Sequence, residues 1–262
     1  MQAVILAAGT ASRLRPLTDN CPKCLLKVGG KTLLERTVDA IHAAGIKEIT
    51  VVTGYLQGMI VSFLNAHYPQ DIFHYIHNAD YASTNNIYSL WLARPQGGGK
   101  DFLLMDSDIY CDAQLIKTIA DQESSALAVS RHELGEEEMK VVVDADNNIT
   151  EISKTCRVTD ALGESVGVEK ICAAYSSALY EELEMMCEHE GLENKFYELA
   201  FERLIAKGHT FKVVDTTHFF SMELDTVEDF NNAGSLPQPL PVGGANIVSP
   251  ADGGLEEATV DC

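Results

Sequence analysis

Two stretches of this sequence carry residue types suited to chemistry on charged oxygen. Near the start, Ala3-Val-Ile-Leu-Ala-Ala-Gly-Thr-Ala-Ser-Arg-Leu-Arg-Pro-Leu-Thr18 passes from an apolar run through one glycine to two arginines. A buried strand that empties into a loop of small residues exposes backbone N–H groups, and such loops hold anions. Arg13, Arg15 and the Lys23 that follows Pro22 add side-chain positive charge to this loop. Much later, Asp101-Phe-Leu-Leu-Met105 runs straight into Asp106-Ser-Asp108, an acidic pair at the end of an apolar strand.

A third constellation is Cys21-Pro-Lys-Cys24, with the spacing of a redox pair or of half a zinc site. A structural zinc site needs two more ligands at comparable spacing, and the sequence has no second CxxC and no HxxxH. A redox CxxC opens a helix after a strand, whereas this one precedes the apolar stretch Leu25-Leu-Lys-Val28. The two cysteines read as small residues flanking Lys23.

Composition narrows the partners. With 19 basic and 39 acidic residues the net charge is −20, which repels a nucleic-acid backbone and makes nucleic acid an unsuitable partner. An anionic ligand must then be held by a local concentration of positive charge, which Arg13, Arg15 and Lys23 supply. No apolar run is long enough to span a membrane, and the N-terminus lacks a secretory pattern. Seven cysteines in a chain of 262 residues do not read as a disulfide framework. A cytoplasmic protein is expected, and a homo-oligomer is compatible with the sequence.

The elements that must position these residues follow from periodicity. Val4–Ala8, Ile49–Thr53, Ile72–Ile76 and Asp101–Met105 read as buried strands. Thr32–Ala44, Leu56–Ala66 and Asn85–Arg94 read as helices between them, the first closed by Gly45. Alternating strands and helices imply a parallel sheet covered on both faces, with ligands gathered at the carboxyl ends of its strands. In the second half, Val141–Val143 and Ile149–Ile152 flank a turn and predict antiparallel strands, with a further strand over Val166–Ala174. Ala178–Cys187 and Phe196–Lys207 read as helices and Phe211–Val214 as a strand. From Gly234 on, four of the eight prolines and five glycines occur with no basic residue, so a folded unit is expected over 1–233 and a Pro/Gly-rich acidic tail or linker over 234–262.

The opening loop is neither of the two commonest phosphate loops. Gly9-Thr-Ala-Ser-Arg-Leu14 supplies only the first glycine of GxGxxG, and GxxxxGK[ST] is absent. It does resemble the nucleotidyltransferases that activate small phosphorylated compounds. Their L-A-A-G-x-G-x-R-L loop and following P-K are matched by Leu6–Leu14 and Pro22-Lys23. Asp106-Ser-Asp108, Lys154 in Glu-Ile-Ser-Lys, and Glu223-Leu-Asp-Thr226 match further positions. Ala11 stands where the family has a second glycine, and alanine disfavours positive φ. Asn78–Leu90 and Val166–Lys170 look most like the cytidylyltransferase branch acting on phosphocholine or 2-aminoethylphosphonate.

The resemblance implies an α/β fold, a Rossmann-like mostly parallel sheet flanked by helices, with an added β layer from the second half covering the active site. It implies that a phosphate or phosphonate oxygen attacks the α-phosphorus of CTP and expels pyrophosphate, with Mg²⁺ as cofactor. Leu6, Ala7, Ala8, Gly9 and Ser12 are then expected to hold the nucleotide, with Asn85 and Asn86 at its base or ribose. Arg13 and Lys23 would offset phosphate charge as the catalytic pair. Asp108 and Asp225, joined by Asp106, would hold the metal. Lys154 would grip the acceptor's phosphate, and Tyr197, Glu198 and Glu223, with Phe219 and Phe220, would surround an ammonium group. Each residue also has a plainer use: helix capping for Asp225, Asn85 and Asn86, a strand-end turn for Asp108, solvation for Lys154, core packing for the aromatics. Two other readings compete: a sugar- or polyol-1-phosphate nucleotidyltransferase, and a nucleotide sensor without turnover.

Overall fold

The computed structural model describes residues 1–235. After β1 (Gln2–Ala7) comes a small hairpin, β2 (Lys27–Val28) and β3 (Lys31–Thr32), that leads into α1 (Leu33–Ala43). Next are β4 (Ile49–Thr53), α2 (Gln57–His67), β5 (Phe73–His77), α3 (Asn86–Leu92), the one-turn α4 (Arg94–Gly97) and β6 (Phe102–Asp106). The second half holds β7 (Ile109–Cys111), α5 (Ala113–Ala120), β8 (Ala126–Ser130), β9 (Lys140–Val143), β10 (Ile149–Ser153) and β11 (Gly163–Ile171). It closes with α6 (Ala173–Glu184), α7 (Glu198–Ala206), β12 (Lys212–Asp215), β13 (Ser221–Glu223) and α8 (Val227–Ser235). The expected tail lies outside the described residues from 236 on.

Nine of the described strands form one mixed sheet in the order β10-β9-β11-β6-β1-β4-β5, with β8 paired to β11 and β12 to β8. β6, β1, β4 and β5 are parallel, as the alternating pattern predicts. The added β structure takes two forms. Antiparallel β11, β9 and β10 continue the main sheet, whereas β7 and β13 make a separate two-stranded ribbon.

β1 is buried along its whole length and splits its side chains between two cores. Ala3, Ile5 and Ala7 join α1 and α5 on one face, and Val4 and Leu6 join α3, α6 and α7 on the other. Each buried aliphatic side chain contributes roughly 1.5–3 kcal/mol, so burial on both faces anchors this strand at the centre of the sheet. α1 starts at Thr32, whose hydroxyl accepts from the Glu35 N–H at 3.0 Å, and ends at Gly45 with φ of 83°.

The chain runs outward from β1 through β4 to β5, then returns to β6 on the other side of β1. Such a reversal opens a crevice at the strand ends. Leu6 pairs with Asp106 across it, so the small-residue loop after β1 and the acidic pair after β6 meet there.

Candidate active site

The cleft at this crevice is lined by the loop from Leu6 to Arg13, by Lys23, by Asn85 and Asn86, and by Asp106 and Asp108. From the second half, Lys154, Glu164, Glu198, Glu223 and Asp225 complete it. The loop is held from behind. Ala8 accepts from the Tyr55 N–H at 3.1 Å, and Gly54 is obligatory because a Cβ there would stand 2.6 Å from the Ala8 carbonyl oxygen. A Cβ on Gly9, by contrast, would meet nothing within 4 Å, so the space over this glycine belongs to the cleft. Ala11 adopts the left-handed conformation despite its side chain, with φ 47° and ψ 49°. That costs roughly 1–2 kcal/mol. Hydrogen bonds to its carbonyl from the Thr18 hydroxyl (2.9 Å) and the Leu14 N–H (3.0 Å) hold it there.

Distant parts of the described chain converge on Lys23. Glu223 pairs with Ile109 in the ribbon, and the Leu224 N–H donates to the Asp108 carbonyl at 3.1 Å, which brings Asp225 beside Asp108. Thr226 and Asp229 form a reciprocal capping box for α8, so that duty does not fall on Asp225. Its carboxylate accepts from Lys23 Nζ at 2.6 Å and pairs with Arg13 at 3.1 Å, while Asp108 accepts from Lys23 at 2.9 Å. Burial opposes the Lys23 charge, but Asp108 and Asp225 override it and raise the lysine's pKa. Burial likewise opposes the Asp225 charge, and Lys23 with Arg13 overrides it, leaving the carboxyl below its usual range.

Asp108, Glu223 and Asp225 each place an oxygen within 4.8 Å of the others. Three hard carboxylate donors at that separation fit Mg²⁺. Glu223 therefore lies with the proposed metal ligands as well as in the cleft wall. Burial, then the neighbouring Asp108 and Asp225 charges, push its carboxyl up to about 7. Asp106 is not in this group. It accepts from the Tyr197 hydroxyl at 3.1 Å, and burial holds its carboxyl well above the ordinary range.

Tyr197, expected at the acceptor from the family resemblance, has a fully buried side chain. The ring packs edge-on against Phe201 with centroids 5.4 Å apart, and the hydroxyl lies between Asp106 and Glu169. Phe219 and Phe220 also stand off the cleft, against His218 and Tyr110. Phe196, whose ring carries Lys154 Nζ at 5.2 Å, lines the cleft instead. Asn85 caps α3 by accepting from the Asn86 N–H at 2.8 Å. The Asn86 side chain accepts from the Tyr197 N–H at 3.0 Å and ties α3 to the start of α7. Arg15 is exposed and paired with Asp19. Cys24 is a free, buried thiol pushed up to about 12 by desolvation, the opposite of what thiolate chemistry needs.

Several site residues escaped sequence reasoning: Asn78, Glu137 and Glu164 in the wall, and Lys140 beneath it. Lys140 is 1% exposed and donates to the carbonyls of Glu136, Glu138 and Lys154, joining the two loops that present Glu137 and Lys154. A lysine opening the β9 run Lys140–Val143 has no marker in sequence for this task. The wall as a whole carries seven carboxylates against Arg13, Lys23 and Lys154. A polyphosphate can enter such a cleft only with cations that compensate the carboxylates.

Comparison with known proteins gives a family, relatives and a shared fold. The model of the MobA-like NTP transferase domain matches residues 3–204. A CTP:phosphoglutamine cytidylyltransferase of Campylobacter jejuni subsp. jejuni is 29% identical over 244 residues, covering 82% of this chain and 92% of that one. A CMP-5'-(3-aminopropyl)phosphonate synthase of Streptomyces rubellomurinus is 29% identical over 89% of this chain, which spans only 38% of that longer protein. The fold matches that of the CTP:phosphocholine cytidylyltransferase from Streptococcus pneumoniae with a TM-score of 0.76, at 24% identity over 89% of this chain and 97% of that one. Among the described residues, no helix is long and apolar enough to cross a membrane. This chain belongs to the MobA-like NTP transferase domain family and is a nucleotidyltransferase.

Proposed function

We propose that this protein transfers CMP from CTP to a small phosphate or phosphonate of the phosphocholine or 2-aminoethylphosphonate class, releasing pyrophosphate. The observation that carries the reading is the convergence at the β1/β6 crevice. Lys23, held between Asp108 and Asp225, faces a loop whose backbone N–H groups and open space over Gly9 suit a triphosphate. The Campylobacter relative is named a CTP-dependent cytidylyltransferase and the Streptomyces relative a synthase of a CMP-linked phosphonate, and both names support CTP as the donor.

In the proposed step an acceptor oxygen forms a bond to the α-phosphorus. The bond from that phosphorus to the bridging oxygen breaks, and its electron pair leaves on pyrophosphate. The acceptor oxygen is already ionised near neutral pH, so no general base is required. Two anions must be brought together, and catalysis reduces to charge neutralisation and alignment. Lys23 and Arg13 place positive charge beside the loop that holds the phosphates, and Lys154 offers a cation to the acceptor's phosphate. Asp108, Glu223 and Asp225 would hold Mg²⁺, which supplies further charge neutralisation on the triphosphate when bound.

The test is pyrophosphate release over a grid of the four ribonucleotide triphosphates and several acceptors with Mg²⁺. Release with CTP and an aminoalkyl phosphate or phosphonate is expected. Release only with UTP or another triphosphate and a sugar 1-phosphate would refute the proposal.

A further inference from the structure

The wall of the cleft on the α7 side contains a hydrogen-bond acceptor with nothing to accept. Glu198 lines the cleft, is 8% exposed, and its Oε2 has no hydrogen-bond partner among the described residues. Behind it, Glu169 is fully buried, and the Tyr197 hydroxyl is shared between Glu169 and Asp106. One hydroxyl thus serves two carboxylates, and no described basic side chain makes an ion pair with Glu198, Glu169 or Asp106. A buried carboxylate oxygen left this way is costly, and a donor arriving from the cleft recovers that cost. Burial already pushes the Glu198 carboxyl up to about 7, opposed by its own backbone N–H and then by the Lys154 charge.

The same wall is poor in aromatic faces. Two aromatic rings line the cleft, Tyr81 and Phe196. Tyr81 is on the β4 side, against Gly54 and Tyr55, and Lys154 Nζ lies over Phe196. A quaternary ammonium is recognised by a cage of several aromatic faces and offers no N–H to a carboxylate. A protonated primary, secondary or tertiary amine offers at least one.

From this we infer that the acceptor is a compact zwitterion whose ammonium carries N–H, with Glu198 as the residue that selects it over a quaternary ammonium. The inference rests on the proposed cytidylyl transfer and narrows its acceptor. Lys154 and Glu198 would take the two ends of one small molecule, phosphate and ammonium respectively. Lys154 Nζ lies 5.2 Å from the centre of the Phe196 ring, two residues before Glu198 in the chain, and all three side chains line the same cleft.

The experiment is a methylation series at saturating CTP and Mg²⁺: O-phosphoethanolamine, its N-methyl and N,N-dimethyl derivatives, and phosphocholine, compared by kcat/KM. The expected result is a break of ~10–100-fold between the dimethyl and trimethyl compounds, where the last N–H is lost, larger than either earlier step. In Glu198→Gln the KM for O-phosphoethanolamine should rise at least ~10-fold, with phosphocholine changed less than ~3-fold, so the break shrinks. A smooth decline with each methyl, or phosphocholine equal to or better than the others, overturns the inference and leaves the cytidylyltransferase reading standing. The wild-type series alone decides this if the variant does not fold. No product from CTP with any acceptor would overturn the functional reading and this inference with it.

Discussion

Replacing Lys23 with methionine keeps most of the side-chain volume and removes the charge that Asp108 and Asp225 share. In the wild type the ammonium lies 2.9 Å from one carboxylate oxygen and 2.6 Å from the other, with the lysine side chain 10% exposed. At an effective dielectric constant near 20, a unit pair about 4 Å apart is worth ~4 kcal/mol before desolvation. Breaking a buried pair from one side costs about 3–5 kcal/mol. Here the partners are 25% and 31% exposed, so water screens part of the loss. About 2–3 kcal/mol of destabilisation is expected for Lys23→Met in EDTA near pH 7.5. The three carboxylates at this point should then bind a divalent ion more readily, because no ammonium competes for the same oxygens. With a dissociation constant of about 1 mM, 10 mM Mg²⁺ would return ~1.4 kcal/mol to the variant. The wild type should gain less than ~0.5 kcal/mol, since the ion must displace Lys23. Urea denaturation followed by circular dichroism, with EDTA or Mg²⁺, measures both quantities. Equal stability of variant and wild type, or an equal response to Mg²⁺, would refute the idea that Lys23 and a metal compete for one carboxylate group.

Further outcomes are expected at neighbouring positions. Asp108→Asn and Asp225→Asn should each lower kcat by ~10³-fold or more, and the double variant should be little worse, because groups acting on one ion are not additive. Multiplying losses would separate their roles. Glu198 has its carboxyl raised by burial to about 7, so the folded state binds its proton more tightly than the unfolded chain. Its contribution to stability is complete below the unfolded value near 4.5 and is lost as pH rises through 7. Glu198→Gln should therefore gain on the wild type by about 3 kcal/mol between pH 4.5 and pH 8, and denaturation curves showing no such pH-dependent gain would count against a dry, unpaired Glu198. Cys24→Ser should keep kcat within ~3-fold and leave activity insensitive to reductant; a large loss on oxidation would restore a redox role to this thiol.

The parallel half of the sheet was legible because each strand is an apolar run bounded by turns, and Ile49–Thr53 has the bounds that its pattern predicts. α5 and β8 carry equally local signals, Leu115, Ile116, Ile119 and Ala120 at a helical period and the apolar run Ala126-Leu-Ala-Val129, yet neither element is among those expected from the sequence. The second-half strands gave no sign that they would extend the main sheet, because hairpin signals encode local pairing and not the strand's other neighbour. At the site, a loop of small residues with Arg13 and Lys23 is a local signal and pointed to the cleft. The meeting of Asp108 with Asp225 depends on the Glu223–Ile109 register, which no local pattern encodes. Tyr197 and Glu198 are adjacent and polar-tipped, yet one faces the core and the other the cleft. The helical phase of α7 decides between them, and its boundary falls between these two residues.

The proposed function turns on attack of an acceptor oxygen on the α-phosphorus of CTP. It is tested most directly by following the reaction of CTP with ¹⁸O-labelled O-phosphoethanolamine and Mg²⁺ by ³¹P NMR. One pyrophosphate per CTP consumed is expected, with a CMP-linked product that retains the label at the oxygen bridging the two phosphorus atoms. Label appearing in pyrophosphate, or CTP consumed to CMP without a linked product, would contradict it.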